Sequence, residues 1–305
     1  METPVNKWKY VLITLITLFV VANSISFFLG VFPGTISSDH IVIIPLYGEI
    51  TIDQSNSGLI NSQKVVADDI ISQLREAEQD SSVKAIVLEI NSPGGSAVAS
   101  SEIAETVKSL NKTTYAIIRD VGASGAYWIA SATNKIYASP TSITGSIGVI
   151  SSYLEFSQLF DKYGVTYERL VAGKYKDLGT PFKNLTLDER ALLQKKLDRI
   201  HQTFINEVVI NRNLNQNNIN KISTGEFFLG TEALDLGLVD ALATKEQAIA
   251  NIKKELNLTD AQVLEKKKQT SLLELFAKQL PLSFGRGFAQ EVLDRNVDTG
   301  TIKAQ

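Results

Sequence analysis

Cysteine is absent from this chain of 305 residues, and histidine occurs only twice. Without cysteine the chain can form neither disulfides nor thiolate metal sites. The two histidines, His40 and His201, leave little choice for an imidazole general base. A hydrolytic site in this chain is therefore expected to use a lysine as its base.

A large excess of one charge is also missing. Thirty Lys and Arg residues stand against 33 Asp and Glu residues, and the net charge is -3. The short basic cluster at residues 266–268 is interpreted as a solvated helix face. Proteins that bind the phosphate backbone present extended basic surfaces, so the sequence indicates no nucleic-acid partner.

One long segment carries no charge at all. Residues 11–32 consist mainly of Val, Leu, Ile and Phe, and Lys7 and Lys9 precede them. At 1.5 Å per residue such a helix is about 33 Å long, which is enough to cross a bilayer. Because basic residues stay on the cytoplasmic side, we predict a cytoplasmic N-terminus at residues 1–10 and a single-pass anchor at residues 11–32.

This topology places the folded part on the outer, periplasmic or extracellular, side of the inner or plasma membrane. The competing interpretation is a cleaved signal peptide, with Ser24-Ile25-Ser26 as a weak cleavage site. The apolar stretch exceeds the 7 to 15 residues that are usual for signal peptides, which favours an uncleaved anchor that contacts the lipid bilayer.

The pattern after a linker at residues 33–40 predicts a largely parallel α/β sheet, because apolar strands alternate with helices. One folded domain, which would carry the hydrolytic site, is predicted at residues 41–258, with a loop at residues 48–63. Strands are predicted at residues 41–47, 85–90, 115–118, 136–138, 147–150 and 167–171. Helices are predicted at residues 64–78, around 103–110, from 126, near 155–163 and at 187–211.

The C-terminal tail, residues 259–305, lacks this pattern beyond an apolar run at 272–282. It is predicted to contact a partner subunit, to touch the membrane or to be disordered.

A serine stands at a predicted junction between strand and helix. Residues 122–128 read Gly-Ala-Ser-Gly-Ala-Tyr-Trp, so Ser124 lies among side chains too small to block it. A serine hydroxyl is a poor nucleophile until a base takes its proton. The alternative interpretation is that Ser124 is merely a small residue in a tight turn. Tyr127 and Trp128 are predicted to be core residues of the helix rather than substrate contacts.

Two lysines on a predicted loop are candidates for the base. Residues 172–177 read Ala-Gly-Lys-Tyr-Lys-Asp, and spacing alone does not distinguish Lys174 from Lys176. A lysine base needs a pKa lowered from about 10.4 to roughly 7 to 8, which desolvation in a closed cleft can provide.

Oxyanion donors are expected from glycine-rich turns. Residues 91–95 read Asn-Ser-Pro-Gly-Gly and follow a buried strand. Glycine allows close approach of the backbone, so the N–H groups of Gly95 and Gly125 are the candidate donors.

Several of these motifs, in the same order, resemble the signal peptide peptidase A family. The resemblance rests on residues 87–95, 122–128, 144–149 and 173–182, and it covers roughly residues 41–255. That family comprises membrane-anchored Ser-Lys peptidases that are distantly related to the Clp proteolytic subunit and to crotonases. Residues 225–230 and 233–240 resemble a segment of this wider group. The resemblance implies a Clp protease/crotonase-like fold of repeated ββα units.

The resemblance also implies roles for individual residues. Ser124 matches the nucleophile, Lys176 the general base, and Ser146 a polar residue that orients the lysine. Gly95 and Gly125 match the oxyanion donors. No metal or cofactor is implied, and the expected substrates are remnant signal peptides left after secretion.

Assembly is a further implication. Longer members of the family are duplicated, with the lysine in one half and the serine in the other. A short chain is therefore expected to form a homo-oligomeric ring with sites shared between subunits. One departure is Gly125-Ala126, where the family often has Gly-Gly after the nucleophile.

Three alternatives stay open. A crotonase-like acyl-CoA enzyme could share the fold, since fold does not fix chemistry. A catalytically silent membrane scaffold is the non-enzyme alternative. A Ser-His site could use His201, although its position among apolar residues of a long helix favours a packing role.

Overall fold

The computed structural model describes residues 7–28, 39–53 and 64–266 of the chain. Helix α1 spans Lys7–Phe28. Within these stretches, no helix combines the length and the apolar character that a bilayer span requires, so the predicted transmembrane helix is not supported there. Part of the predicted anchor (29–32), most of the linker (33–38) and the apolar run at 272–282 lie outside the described residues.

Strands and helices alternate along the chain after α1. The strands are β1 (His40–Tyr47), β2 (Glu49–Thr51), β3 (Lys64–Val66), β4 (Val83–Ser92), β5 (Thr113–Ala123), β6 (Lys135–Ala138), β7 (Ile143–Gly145), β8 (Phe227–Leu229), β9 (Ala241–Leu242) and β10 (Gln262–Glu265). The helices are α2 (Ala67–Gln79), α3 (Ala97–Ser109), α4 (Gly125–Ser131), α5 (Ser157–Lys162), α6 (Leu187–Arg212), α7 (Gln216–Ile222), α8 (Gly230–Asp235) and α9 (Lys245–Glu255).

The main sheet contains six strands in a row whose neighbours run parallel to one another. Its strands follow the order β10-β1-β4-β5-β6-β9, and each neighbouring pair is parallel. β7 pairs in parallel with the end of β5 and antiparallel with β8, while β2 and β3 form a separate two-stranded sheet. Helical crossovers such as α2 and α3 allow this parallel pairing. The predicted α/β architecture is thus confirmed.

Both faces of the main sheet are buried, which explains the continuous apolar runs in its strands. In β1, Val42, Ile44 and Leu46 join the core beneath α2, α3, α4 and α6. Ile41 and Ile43 join the opposite core, which α9 covers. Alternate side chains of a strand point to opposite faces, so neither side of β1 can be polar.

Three boundaries differ from the sequence-based expectation because strands form where none was expected. The helix predicted at residues 64–78 begins at Ala67, since residues 64–66 pair with β2. β2 itself lies in the predicted loop at 48–63. β10 lies in the stretch 259–305 and adds to the edge of the sheet beside β1, so the sheet continues beyond residue 258.

Residues 146–186 form a long connection in which α5 is the one regular element. The helix predicted near 155–163 is confirmed as α5. The strands predicted at 147–150 and 167–171 are wrong. Ile150 and Leu170 are 91% and 99% exposed, respectively. An apolar run becomes a strand only where another strand offers hydrogen-bond partners, and neither segment pairs with one.

Candidate active site

Ser124 occupies a strained turn between a strand and a helix. β5 ends at Ala123 and α4 begins at Gly125, and Ser124 between them has φ 52° and ψ -127°. A positive φ is unfavourable for a residue with a side chain, and such strain is typical of functional sites. The Ser124 N–H donates to the Gly145 carbonyl at 2.9 Å, and its carbonyl accepts from the Trp128 N–H at 3.0 Å. These two bonds fix the half-buried serine at the end of the sheet.

The Pro-Gly-Gly turn lies directly against Ser124. A Cβ placed on Gly94 would lie 2.8 Å from the Ser124 Cβ and 2.7 Å from the Gly125 nitrogen. A Cβ on Gly95 would lie 2.1 Å from the Ile50 carbonyl oxygen. Both positions therefore require glycine. A backbone hydrogen bond fixes this turn, because the Ile50 N–H donates to the Gly94 carbonyl at 2.9 Å.

The N–H groups of Gly95 and Gly125 are available for a ligand. Neither donates a hydrogen bond to any acceptor in the described part of the chain, and both residues line the same cleft as Ser124. A Cβ on Gly125 would lie 3.4 Å from the Gly95 nitrogen and 2.2 Å from the Ser100 Oγ. The two backbone donors are thus close together beside the serine, which is the arrangement that stabilises an oxyanion.

The cleft around Ser124 has a volume of about 710 Å³, and its walls combine apolar and polar side chains. Trp128 is buried and stacks on Phe204, with ring centroids 4.6 Å apart and planes 8° apart. Tyr127 is fully buried and donates to the Leu238 carbonyl at 2.7 Å. Tyr127 is therefore a core residue, whereas Trp128 belongs both to the core and to the cleft wall.

Ser146 shares this cleft with Ser124. It follows β7 and has φ 49°. Its N–H donates to the Glu226 carbonyl at 3.0 Å, and its Oγ lies 3.5 Å from the Gly225 carbonyl oxygen. The pairing of β7 with β8 carries these carbonyls to the cleft. Among the described residues the hydroxyl makes only this long contact, so it can turn towards another donor or acceptor.

Lys176 does not lie in the cleft of its own chain. It is exposed on a loop of consecutive turns and is not among the residues that line the space around Ser124. Sequence and structure therefore agree on Ser124, Ser146, Gly95 and Gly125 as neighbours, but one protomer does not bring Lys176 to them.

The two candidate lysines differ in their contacts. The Lys174 ammonium pairs with Asp188 at 3.0 Å and lies 4.9 Å from the centre of the Tyr175 ring. Contacts with Tyr175 and Asp188 raise the pKa of Lys174, which disfavours a role as a base. The Lys176 ammonium has no hydrogen-bond or ion-pair partner among the described residues. The structure thus distinguishes two lysines that the spacing left equivalent.

His201 also lines the cleft, from α6. Its Nε2 lies 2.8 Å from the Ile147 carbonyl oxygen. A carbonyl only accepts, so this nitrogen carries the proton and donates. No hydrogen bond joins His201 to Ser124 within the part of the chain described, and the nucleophile–base contact of a Ser-His site is missing.

Sequence reasoning missed Ile50, which pins the Pro-Gly-Gly turn, and Phe204, which supports Trp128. Ile50 lies in the predicted loop, where no periodic signal exists. Phe204 belongs to the apolar face of α6, and that periodicity predicts burial but not which side chain it meets.

Known proteins are similar to this chain in sequence and in fold. The model of Peptidase family S49 matches residues 106–259, and the Clp protease model matches residues 55–144. A protein named signal peptide peptidase SppA from Enterococcus faecium is 34% identical over 238 residues, which is 77% of this chain and 69% of that protein. A protein named as a protease from Methanocaldococcus jannaschii is 34% identical over 74% of each chain.

A longer relative and a solved structure are also similar to this chain. The chloroplastic serine protease SPPA of Arabidopsis thaliana is 31% identical over 72% of this chain but only 33% of that protein. A mutant of the 1510-N membrane-bound stomatin-specific protease has a similar fold, with a TM-score of 0.53 at 15% identity over 76% of this chain and 99% of that one.

Proposed function

The chain belongs to peptidase family S49 and is a serine peptidase, and we propose that Ser124 is its nucleophile and Lys176 its general base. One observation carries the assignment of Ser124. It is the strained residue at the end of β5, flanked by the N–H groups of Gly95 and Gly125, which donate to no acceptor in the described residues. Within the described residues the Lys176 ammonium has no partner, whereas Lys174 pairs with Asp188, and this difference favours Lys176.

The proposed reaction is an acyl transfer in two steps. The neutral amine of Lys176 takes the proton of the Ser124 hydroxyl while Oγ attacks the peptide carbonyl. The N–H groups of Gly95 and Gly125 donate to the developing oxyanion, and each such donor typically contributes about 2.7 to 4 kcal/mol. The lysine ammonium then protonates the leaving amine. The same lysine then deprotonates a water molecule, whose oxygen attacks the acyl carbonyl; the bond to Ser124 Oγ breaks, the carboxylic acid leaves, and the lysine ammonium returns its proton to Oγ. Ser146 is proposed to accept a hydrogen bond that orients the lysine.

Because Lys176 does not line the Ser124 cleft of its own protomer, we propose that the dyad forms between neighbouring subunits of a homo-oligomeric ring. Exposed large apolar side chains in the connection that contains the lysine loop (residues 167–183) support a covered surface there. Ile150, Leu154 and Leu170, all in the connection at residues 146–186, are 91%, 72% and 99% exposed, respectively. Large exposed apolar surface is typical of a contact with another molecule. The same contact would remove water from the lysine and favour its neutral form.

The proposed substrates are apolar peptides, and remnant signal peptides are the class that fits best. Pro93, Ala97, Trp128, Val149 and Phe204 give the cleft its apolar walls. An apolar segment in extended conformation would bury its side chains there while its carbonyl meets the glycine N–H groups. The name of the Enterococcus faecium relative also supports this class.

The purified enzyme should cleave signal peptides within their apolar segment, whereas Ser124→Ala should not. Mass spectrometry of products from a mixed signal-peptide library, with polar peptides as the control, measures this directly. A fluorophosphonate probe should label Ser124 in the wild-type chain. Labelling elsewhere, or identical products from Ser124→Ala, would exclude the assignment. An unlabelled chain that binds acyl-CoA would favour the crotonase-like alternative, and one that binds neither would favour a scaffold.

We further propose that residues 11–32 anchor the peptidase in the inner or plasma membrane, with the catalytic domain outside. This proposal rests on two features of the segment. The segment follows Lys7 and Lys9, and all the described side chains of α1, at residues 7–21, are exposed. Large apolar residues on every side of a helix are typical of a lipid-facing segment.

Protease added outside intact cells should release or digest the domain beyond Thr35. A periplasm-dependent or surface-dependent reporter fused after Gln305 should be active, and the same reporter fused before Met1 should be silent. The pair of fusions controls for expression. A C-terminal reporter that works only in the cytoplasm would refute this topology.

A further inference from the structure

The lysine loop has no helix or strand of its own, and a clamp of charged side chains holds its shape. Arg169 grips Asp177 with two hydrogen bonds, from Nε at 2.5 Å and from Nη2 at 2.8 Å. The same guanidinium lies 3.4 Å from the Lys174 carbonyl oxygen. Asp177 is the residue directly after Lys176. The clamp therefore fixes the backbone on both sides of the proposed base.

The clamp extends from the loop to the start of α6. The Lys183 ammonium lies 3.6 Å from Asp177 and 2.6 Å from Glu189. The other oxygen of Glu189 accepts from the backbone N–H of Thr186 at 2.9 Å, and Thr186 caps α6. Through these contacts α6 stabilises the conformation of the lysine loop, which contains no helix or strand.

This network differs from an ordinary surface ion pair. The side chains of Asp177, Lys183 and Glu189 are only 15%, 21% and 5% exposed, respectively. Paired Arg–carboxylate bonds are the strong class of charged hydrogen bond. The neighbouring pair of Lys174 with Asp188 is 67% and 70% exposed, and such pairs contribute little. The chain therefore offers a matched control in the same loop.

We propose that Asp177, clamped by Arg169 and Lys183, is the positioning residue that presents Lys176 to Ser124. This inference rests on the proposed role of Lys176 as the base. The clamp has a second consequence, because its two cations neutralise the carboxylate beside the base. An unpaired carboxylate would favour the ammonium form of a nearby lysine and weaken it as a base.

The charges around Asp177 agree with this role. Arg169 and Lys183 face it, Glu189 faces Lys183, and Lys174 is engaged with Asp188. The Arg169 hydrogen bonds, with a smaller contribution from the charge of Lys183, lower the pKa of Asp177 to about 2. Asp177 is therefore a carboxylate over the whole range in which a peptidase is assayed.

The test compares pH–rate profiles of kcat/KM for single variants. Arg169→Gln frees the carboxylate, so activity should fall at least about tenfold and the rising limb should move to higher pH by roughly half a pH unit. Asp177→Asn removes the anion and leaves two cations, so activity should fall similarly while the limb moves to lower pH. Asp188→Asn should change neither quantity by more than about twofold.

Arg169→Lys keeps the charge but loses the paired geometry. It should lower kcat and leave the limb in place, which tests the clamp even if Arg169→Gln fails to assemble. If the substitutions only destabilised the loop, the fluorophosphonate would label a smaller fraction of the protein. The rising limbs of Arg169→Gln and Asp177→Asn would then not move in opposite directions. Unmoved limbs and near-normal rates in Asp177→Asn and Arg169→Gln would overturn the inference.

A single further variant separates this failure from failure of the proposed function. If Lys176→Ala is inactive while Asp177→Asn is normal, only the positioning role is wrong. If Lys176→Ala itself is active, the base lies elsewhere and the proposed dyad fails.

Discussion

Lys176→Ala should lower the rate of peptide hydrolysis by about 10³-fold or more, whereas Lys174→Ala should keep most of the activity. A positioned general base typically contributes 10² to 10⁴ in rate, and a nucleophilic serine without its base is nearly inert. Lys174 is an exposed lysine already paired with Asp188. Its removal costs a surface ion pair, which is worth little.

The measurement is kcat/KM on a fluorogenic apolar peptide, with both variants compared at equal oligomer concentration. Wild-type activity should rise with pH as the lysine base loses its proton. The two substitutions delete the same side chain two residues apart on one exposed loop, so each controls for the effect of the other on folding. Near-normal turnover by Lys176→Ala would defeat the assignment of the base.

Mixing two inactive variants should restore activity. If each site combines Ser124 of one subunit with Lys176 of its neighbour, co-assembled Ser124→Ala and Lys176→Ala subunits form some intact sites. In a head-to-tail ring with equal random mixing, about a quarter of the interfaces pair a good serine with a good lysine. Activity should therefore return to about a quarter of the wild-type value.

Two differently tagged variants, co-expressed and purified through both tags, would establish that the rings are mixed. In the control, the double variant Ser124→Ala/Lys176→Ala replaces the Ser124→Ala subunit. The double variant cannot supply the lysine that its Lys176→Ala neighbour lacks. Those mixtures should stay inactive. If rings of the two single variants are demonstrably mixed and also inactive, the dyad forms within one chain and the shared-site proposal is wrong.

Local sequence patterns predicted the parts of the fold that are buried on both sides. β1, β4 and β5 are continuous apolar runs because two cores enclose the sheet. The serine turn was also predictable, since Gly122 to Ala126 contains no side chain that would fill the corner. Gly95 could be recognised from the glycine-rich turn that follows a buried strand, and the structure adds the reason that glycine is required there, which is the close approach of Ile50.

The exposed connection at residues 146–186 was not predictable in the same way. Its apolar side chains look like strand residues in sequence, yet Leu170 meets solvent in the single chain. Periodicity reports burial and cannot say whether the covering surface belongs to the same chain. The position of Lys176 outside the Ser124 cleft was not predictable either, because a motif gives the order of residues along the chain and not their distance in space.

The pairing of β10 with β1 has a consequence for where the chain can be shortened. Gln262 to Glu265 cover the ladder from His40 to Ile43. A truncated chain that ends before Gln262 would leave a row of unpaired N–H and C=O groups along the apolar strand β1. Strands of other molecules can pair with such an exposed edge. Those few residues therefore protect the sheet from aggregation, and a trimmed version intended for crystallisation should keep them.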